Sequence, residues 1–520
     1  MWTCARLALV LGVVGVLLVV GGETGASPGI TEHVSLSSAG AEGTGPSEYP
    51  AISADGRYVA FQSSATNLVA NDTNGGYDVF VRDRQTGATE RVSVSSASAQ
   101  GIGDSLSPAI NSDGGYVAFV SWAPNLVTGD TEACELEQPP NPPITYNCPD
   151  IFVRDRQAGT TERVSVSSAE DEANGESWSP ALSADGRYVA FYSGATNLVS
   201  GDTNNVEDVF VRDRQAETTT RVSLASGGTQ ANGASDGWLA ISSNGRFVAF
   251  TSDATNLVAG DTNGAADVFL RDRDTDGDGT FDETGAVSTT RVSVDSSGTQ
   301  SNGESYYAAI SGDGRFVAFG SAATNLVGDD TNGSSDIFLR DRQTNTTTRV
   351  SLDSAGVQGN AGSFQPAVSA DGDYVGFSSG ATNLVDGDTN AVADIFLRIR
   401  SVGATTRVSV NSFGAEGNGT STAPVISGDG RYVAFESVAT NLVPGDTSGY
   451  PDVFVRDRQT STTELVSVGL PVGGIAELPA AARDSSRPET DLALLAGVAA
   501  VALALLSAGA WYARRRYRQD

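Results

Sequence analysis

The chain has 520 residues, a formal net charge of −31 and a pI near 4.2. Its basic side chains are all arginine, and it contains one histidine, His33. This composition argues against a nucleic-acid partner, because phosphate binding requires a basic surface. It also excludes lysine Schiff-base chemistry, a His-rich zinc site and catalytic machinery built on several histidines.

Residues 1–26 are typical of a secretory signal peptide. Arg6 precedes an apolar run, and small residues around Ala26 offer a cleavage point. A retained N-terminal anchor is the alternative, although the run is short for a membrane span. The sequence therefore predicts an exported mature chain.

Between the two ends of the chain, one sequence unit recurs seven times. Its most regular segments are Ala51–Phe61, Ala109–Phe119, Ala181–Phe191, Ala240–Phe250, Ala309–Phe319, Ala367–Phe377 and Val425–Phe435. Each unit reads as four short strands, with an Asp-Gly turn (Asn-Gly in the fourth unit) after the first and alternating apolar residues in the others. Such four-stranded units predict an all-β fold, a seven-bladed β-propeller over residues 31–468, since closing a ring removes exposed sheet edges.

The fourth-strand motif occurs eight times for seven units. One extra copy, "TEHVSL", begins at Thr31, and the final copy, "TTELVSV", ends at Val468. We expect one of these terminal copies to close the ring, and the pattern leaves open which of them pairs as the outer strand.

The repeated segments "PAISADGRYVAF" and "DVFVRDRQTGATERVSV" resemble the TolB-like, WD-like β-propeller repeats of bacteria. The shared features are a Ser-x-Asp-Gly turn, a strand ending in Ala-Phe, a strand ending in Asp and a Thr-Gly turn before Arg-Val-Ser. The resemblance covers about residues 31–468 and implies a propeller. TolB itself is a periplasmic partner-binding protein, so the resemblance also implies an exported binding role, although one fold hosts many functions.

A loop of the type "GDTN" precedes the third strand of most units. Asp72, Asn74 and Asp78 lie at its positions one, three and seven, a spacing that lets oxygen ligands converge on calcium. The alternative is turn chemistry, in which Asp and Asn bond their own backbone. Because connections alternate between the two rims of a meander blade, we expect these loops to share a face with the links between blades.

Two insertions interrupt the repeats. Cys134 and Cys148 flank a Pro-rich insertion and predict a disulfide in an oxidising compartment, with two free thiols as the alternative. The second insertion, "DTDGDGTFDE", resembles the calcium loops of EF-hand and thrombospondin type-3 proteins. That resemblance implies calcium ligands at Asp274, Asp276, Asp278 and Asp282, whereas Gly285 stands where an EF-hand has its last Glu.

Residues just before the innermost strands differ between units, as expected of a site for an asymmetric ligand. The aromatic members define a candidate ligand site near the mouth of the central channel: Trp178, Trp238, Tyr306, Tyr307 and Phe364. The alternative is that these rings cap the channel or pack under loops. Acids in the same links, such as Glu176, Asp236 and Glu304, keep open a carboxylate-based enzyme.

The C-terminal end predicts membrane attachment. Residues 469–490 are rich in Pro, Ala and Ser and indicate a flexible stalk. Residues 491–512 contain an uncharged run long enough for a transmembrane helix, and the basic tail 513–520 places the C-terminus in the cytoplasm. "RPETD" (Arg487 to Asp491) resembles a cell-wall sorting signal but departs from Leu-Pro-x-Thr-Gly at both outer positions.

Together these features predict a non-catalytic, surface-anchored propeller. We expect it to bind a protein or a glycan at the cell surface, with calcium stabilising some of its loops. An exported carbohydrate-active hydrolase or lyase and a purely structural envelope protein are the alternatives.

Overall fold

The computed structural model describes residues 29–138 and 141–459, and the regular structure within these ranges is β-strand. Among these residues there is no helix of the length and apolarity that a bilayer crossing requires. The predicted signal peptide (1–26), the last strand copy ending at Val468, the stalk (469–490), the transmembrane helix (491–512) and the basic tail (513–520) lie outside the described residues.

The described chain starts with strand β1 (Ile30–His33) and continues into a series of four-stranded antiparallel sheets, which we number as blades. Blade 1 contains β2 (Ser47–Ile52), β3 (Tyr58–Ser63), β4 (Asp78–Asp83) and β5 (Ala88–Arg91). Blade 2 contains β6 (Ser105–Ile110), β7 (Tyr116–Ser121), an inserted hairpin of β8 (Ala133–Gln138) and β9 (Asn141–Asn147), then β10 (Asp150–Asp155) and β11 (Thr160–Arg163).

The next four blades repeat the pattern of blade 1. Blade 3 contains β12 (Ser177–Leu182), β13 (Tyr188–Ser193), β14 (Asp208–Asp213) and β15 (Thr218–Arg221), and blade 4 contains β16 (Ala240–Ile241), β17 (Phe247–Ser252), β18 (Asp267–Asp272) and β19 (Ser288–Arg291). Blade 5 contains β20 (Ser305–Ile310), β21 (Phe316–Ser321), β22 (Asp336–Asp341) and β23 (Thr346–Arg349), and blade 6 contains β24 (Ser363–Val368), β25 (Tyr374–Ser379), β26 (Asp394–Ile399) and β27 (Ala404–Arg407).

Blade 7 takes its strands from both ends of the described chain. It contains β28 (Ser421–Ile426), β29 (Tyr432–Ser437) and β30 (Asp452–Asp457), and β1 pairs antiparallel with β30. The register sets Ile30 opposite Asp457 and His33 opposite Phe454. The N-terminal copy therefore supplies the outer strand that closes the ring, and the predicted all-β, seven-bladed propeller is confirmed.

The core lies in the seven interfaces between neighbouring blades. In blade 1, Phe61 faces Phe80 across the strand pair with ring centroids 5.9 Å apart, and both side chains are fully buried against Val34 and Val453 of the closing blade. Equivalent phenylalanine pairs recur in the other six blades at 5.9 or 6.0 Å. Each buried ring contributes about 1.5–3 kcal/mol of transfer free energy, which explains why phenylalanine recurs at these two positions.

The turns between the first and second strands form a closed cycle of backbone hydrogen bonds. In each turn one N–H donates to the carbonyl oxygen of the equivalent residue in the next blade, at 2.8–3.1 Å. The members are Ala54, Ser112, Ala184, Ser243, Gly312, Ala370 and Gly428, and Gly428 donates back to Ala54. This cycle links all seven blades at the face of the ring that carries the Asp-Gly turns.

The Asp-Gly turn of each blade, which is Asn244-Gly245 in blade 4, packs on an aromatic ring of the preceding blade. Gly56 has φ +72, and a Cβ added there would lie 2.1 Å from Cδ2 of Tyr432. The Arg84 guanidinium stacks on the same ring at 4.5 Å and donates to the Gly56 carbonyl. The repeated "DGRY" and "RDR" sequence motifs therefore make contacts between blades as well as turns within them.

Candidate functional site

The loops between second and third strands share a face with the links between blades. In blade 1, Thr73 N–H donates to Oε1 of Gln100 at 3.2 Å, and the Asn74 amide donates to the Gly101 carbonyl at 3.0 Å. The innermost strands begin at this same face, because each follows such a link. The loops, the links and the mouth of the central channel thus lie together, as the topology predicts.

A bulge with unusual backbone geometry interrupts the inner strand at this mouth. The pairing of β2 with β3 shifts between Glu48 and Ala51, and Tyr49 adopts φ 50. A positive φ recurs at the equivalent residue of five other blades: Ser107, Ser179, Tyr307, Gln365 and Ala423. Such strained residues cost about 1–3 kcal/mol each and concentrate at functional sites.

Blade 4 differs from the other blades by one residue inserted before its innermost strand. The segment from Ser235 to Ala240 in blade 4 corresponds to the segment from Ser47 to Ala51 in blade 1 and is one residue longer. Gly237 has the positive φ of this position, at 84, and Trp238 is the extra residue. The Trp238 ring stacks on Tyr49 at 6.0 Å and meets Tyr307 edge-on at 6.0 Å. Since blades 1 and 4 stand on opposite sides of the ring, these aromatic rings span the channel mouth.

The mouth keeps an accessible aromatic surface, since Trp238 is 45% exposed. Tyr306 lies beside Tyr307 at 5.0 Å, and its hydroxyl donates to Ser335 at 2.6 Å. Of the five predicted ligand-binding residues, the structure therefore groups Trp238, Tyr306 and Tyr307, and it adds Tyr49.

The two remaining predicted residues lie apart from this group. Trp178 packs edge-on against Trp122 at 5.1 Å, and its indole N–H donates to Glu176 at 3.2 Å. Phe364 is 41% exposed, with its ring next to Gly362. For Trp178 the structure favours the packing alternative.

Two carboxyl groups line the mouth between blades 7 and 1. Glu436 accepts the Tyr49 N–H at 3.0 Å and the Thr422 hydroxyl at 2.6 Å, while Glu48 accepts from the Gln62 amide at 3.3 Å. Burial raises the pKa of both carboxyls, and the charge of Glu436 raises the pKa of Glu48 further. Burial and these two acids also raise the pKa of Tyr49.

Sequence reasoning missed the two glutamates and Tyr49. The pairing of the strands makes Glu48 equivalent to Leu106, Trp178 and Phe364, since each faces the penultimate residue of the second strand. Counting residues back from the repeated Pro-Ala would have given this alignment. Ring closure was predicted, but the specific contact of Glu436 with the Tyr49 N–H has no signal in the sequence.

The "GDTN" loops hold their acids against an arginine of the fourth strand. Nη1 of Arg91 lies 3.4 Å from Asp72 and 3.2 Å from Asp78, and the Gln100 amide donates to both carboxylates at 2.9 Å. In blades 3, 5 and 6 the first Asp of the loop makes this ion pair without a well-directed hydrogen bond. A guanidinium thus lies beside Asp72 and Asp78, and within the loop the Asn74 side-chain oxygen accepts the Gly76 N–H at 3.2 Å.

The acidic insertion of blade 4 separates its predicted ligands. Carboxylate oxygens of Asp274, Asp276 and Asp278 lie within 4.8 Å of one another. Asp282 instead pairs with Arg273 at 2.5 Å and accepts the Thr220 hydroxyl of blade 3 at 3.0 Å. Three of the four residues therefore form a candidate cation site, and Asp282 fixes the loop to its neighbour.

The inserted hairpin of blade 2 carries the two cysteines. The Sγ atoms of Cys134 and Cys148 lie 2.02 Å apart, with the Cα atoms at 5.0 Å, so the pair is a disulfide in this structure. It lies on the same rim as the "GDTN" loops, because the hairpin joins the second and third strands of its blade.

Three comparisons with known proteins were made. No protein-family model and no curated protein matches the sequence. Solved structures with a similar fold include TolB from Acinetobacter baumannii, at 16% identity and a TM-score of 0.35, with 63% of this chain and 58% of that chain covered. The chain thus spans less than two thirds of the length of that protein.

Other similar structures are enzymes or parts of enzymes. An oligogalacturonate lyase in complex with manganese is 11% identical with a TM-score of 0.45, over 83% of this chain and 96% of that one. The β-propeller domain of the Trilobed protease from Pyrococcus furiosus is 11% identical with a TM-score of 0.46, over 82% and 98%. These likenesses concern the fold alone, and the seven-bladed propeller is seen directly in the sheet topology of this chain.

Proposed function

We propose that the protein is a non-catalytic binding scaffold whose channel mouth recognises a glycan. The observation that carries this proposal is the aromatic group of Tyr49, Trp238 and Tyr307, which is assembled from three blades around a half-exposed indole. Sugar rings pack their C–H faces on such surfaces, and their hydroxyls hydrogen-bond to neighbouring carboxyls such as Glu48 and Glu436. A protein partner using the same surface is the alternative occupant.

The test is a glycan screen with the purified protein and two variants. Trp238→Ala removes the exposed ring at the mouth and is expected to weaken the strongest hit at least about tenfold, since central aromatic contacts are worth about 2 kcal/mol or more. Phe413→Ala removes a ring that is 86% exposed on the link between blades 6 and 7, so it serves as the matched control. Binding that survives Trp238→Ala would move the site away from the mouth.

A second candidate function is an enzyme that uses carboxylates. It is favoured by Glu48 and Glu436, because an acid with a raised pKa beside a second acid is the arrangement used in glycoside hydrolysis. Glycan turnover that is lost in Glu436→Gln but retained in Phe413→Ala would establish this function in place of simple binding.

We also propose that the scaffold is exported and anchored to the cell membrane. The signal-peptide pattern of residues 1–26, the apolar run within 491–512 and the basic tail support this location, as does the disulfide. Deletion of residues 491–520 should release the protein from the membrane fraction into the medium.

A further inference from the structure

The positive side chains of this protein lie away from the channel mouth. Every arginine of the described residues occupies one of four repeat positions, represented in blade 1 by Arg57, Arg82, Arg84 and Arg91. None of these positions belongs to an innermost strand, to a link between blades or to a loop between second and third strands. Because the chain has no lysine, the segments that build the mouth contain no permanently positive side chain.

Contacts hold these arginines at other parts of each blade. At the face with the Asp-Gly turns, Nη2 of Arg57 lies 2.7 Å from Asp83, and Arg82 donates to the Ser37 carbonyl at 2.9 Å. The fourth-strand position reaches the loop face, but there Arg91 pairs with two aspartates. A ligand at the mouth therefore meets acids and aromatic rings without a competing guanidinium.

Glu48 and Glu436, at the mouth, have no positive counter-charge among the described residues. Their hydrogen bonds come from neutral donors, which are the Gln62 amide on Glu48 and the Tyr49 N–H and Thr422 hydroxyl on Glu436. Burial raises the pKa of both carboxyls, and no positive group of the described chain lowers either pKa. Since burial disfavours a carboxylate that has no counter-ion, a bound cation would stabilise the charged form of both groups.

Aromatic faces lie beside these two carboxyls. The Tyr49 ring stacks on Trp238 at 6.0 Å, and burial, followed by the charges of Glu436 and Glu48, raises the pKa of Tyr49. Burial and the charge of Glu48 also raise the pKa of Tyr77 to about 12. Phenol rings and carboxyls thus share one space. A cation is attracted both by the negative face of an aromatic ring and by a carboxylate, so two independent effects favour a positive group there.

Building on the glycan-binding function proposed above, we propose that the channel mouth prefers amino sugars whose nitrogen is free and protonated. The ammonium group donates hydrogen bonds to Glu48 and Glu436 and supplies their counter-charge, while the sugar ring packs on Trp238. Acetylation of the nitrogen removes this charge and leaves the ring contact. Uronic acids are disfavoured, because the mouth has no arginine to pair with their carboxylates.

The test compares three oligosaccharides of equal length in calorimetric titrations of the full-length protein in detergent. The probes are a glucosamine tetramer, its fully N-acetylated form and a galacturonic acid tetramer, at low ionic strength and at a pH where the free amine is protonated. We expect the glucosamine tetramer to bind at least about tenfold more tightly than the N-acetylated form. Added NaCl should reduce this ratio, and the galacturonic acid tetramer should not bind.

Charge-removing variants test the two carboxyls directly. Glu48→Gln combined with Glu436→Gln keeps hydrogen-bond acceptors at both positions but removes both charges. This variant should lower the affinity for the glucosamine tetramer to that of the N-acetylated form, and its thermal unfolding checks that it is folded. Glu283→Gln removes an exposed acid of the blade 4 insertion, on the opposite face of the ring, and should retain the preference as the matched control.

The outcomes separate this inference from the proposed function. Equal binding of the glucosamine and N-acetylated tetramers, with both lost in Trp238→Ala, would overturn the amine preference and leave glycan binding at the mouth intact. Absence of binding by these probes and by every member of the glycan screen would overturn both. A preference that survives in the double variant would contradict the role of Glu48 and Glu436. Tighter binding of tetralysine than of the glucosamine tetramer would assign the mouth to a basic peptide instead.

Discussion

Two single-residue changes break the symmetry of seven nearly identical blades. The insertion before β16 places Trp238 across the channel mouth, and His33 stands in β1 where the fourth strand of blade 1 carries Arg91. Both changes act on positions that the repeat otherwise keeps constant. The chemistry specific to this protein therefore resides in residues that deviate from the repeat, and the repeated residues build the ring.

At the level of single residues, the contact of Gly56 with Tyr432 can be tested against a matched glycine. Gly56 and Gly40 both have a positive φ, at +72 and +79, but an added Cβ meets Tyr432 at 2.1 Å in the first case and nothing within 4 Å in the second. Gly40→Ala should cost about 1 kcal/mol of unfolding free energy from backbone strain alone. Gly56→Ala should cost clearly more, as measured by denaturant unfolding; equal costs would remove the contact between blades from the account.

A second prediction at this scale concerns pH. Burial raises the pKa of Asp150 to about 7, whereas an unfolded aspartate titrates near 3.9. Between these values the folded protein binds more protons than the unfolded chain, so stability should fall as pH rises from about 4 to about 7. Asp150→Asn removes this titration and should reduce the slope of the thermal midpoint against pH. Equal slopes for both proteins would contradict the assignment.

At the scale of elements, the acidic insertion between β18 and β19 gives its four aspartates two different roles. We predict that Ca²⁺ raises the thermal midpoint and that Asp276→Asn with Asp278→Asn abolishes this rise, because carboxylate oxygens are the ligands calcium prefers. Asp282→Asn should lower the midpoint with and without Ca²⁺ alike, since Asp282 pairs with Arg273. If Ca²⁺ no longer raised the thermal midpoint of Asp282→Asn, Asp282 would have to be counted as a calcium ligand.

The same elements show how far the sequence determines the structure. Strands such as β3 and β4 were predictable because alternation and turn residues are local and repeat seven times. The ion pair between Asp72 and Arg91 could not be predicted in this way. It forms only when the loop between β3 and β4 packs against β5, which carries Arg91. The contact of Tyr49 with Trp238 was beyond local reasoning as well, because it exists only when the ring has closed.

For the whole molecule, closure is the property on which the channel mouth depends. β1 completes blade 7, the cycle of turn hydrogen bonds joins all seven blades, and the last interface buries Phe61 and Phe80 against blade 7. The aromatic group forms across this ring, and His33 reaches Asp452 only through β1. Loss of β1 would therefore remove the outer strand of blade 7 and the frame of the channel mouth together.

Hydrogen–deuterium exchange of the full-length protein tests closure most directly, by comparing β1 with the outer strands of other blades. The account predicts that amides of residues 30–36 exchange as slowly as those of residues 88–94 in blade 1, because Val34 N–H donates to the Val453 carbonyl at 2.8 Å just as Val92 donates to Val79. Exchange of residues 30–36 at the rate of an unstructured chain would show that the N-terminal strand does not close the ring.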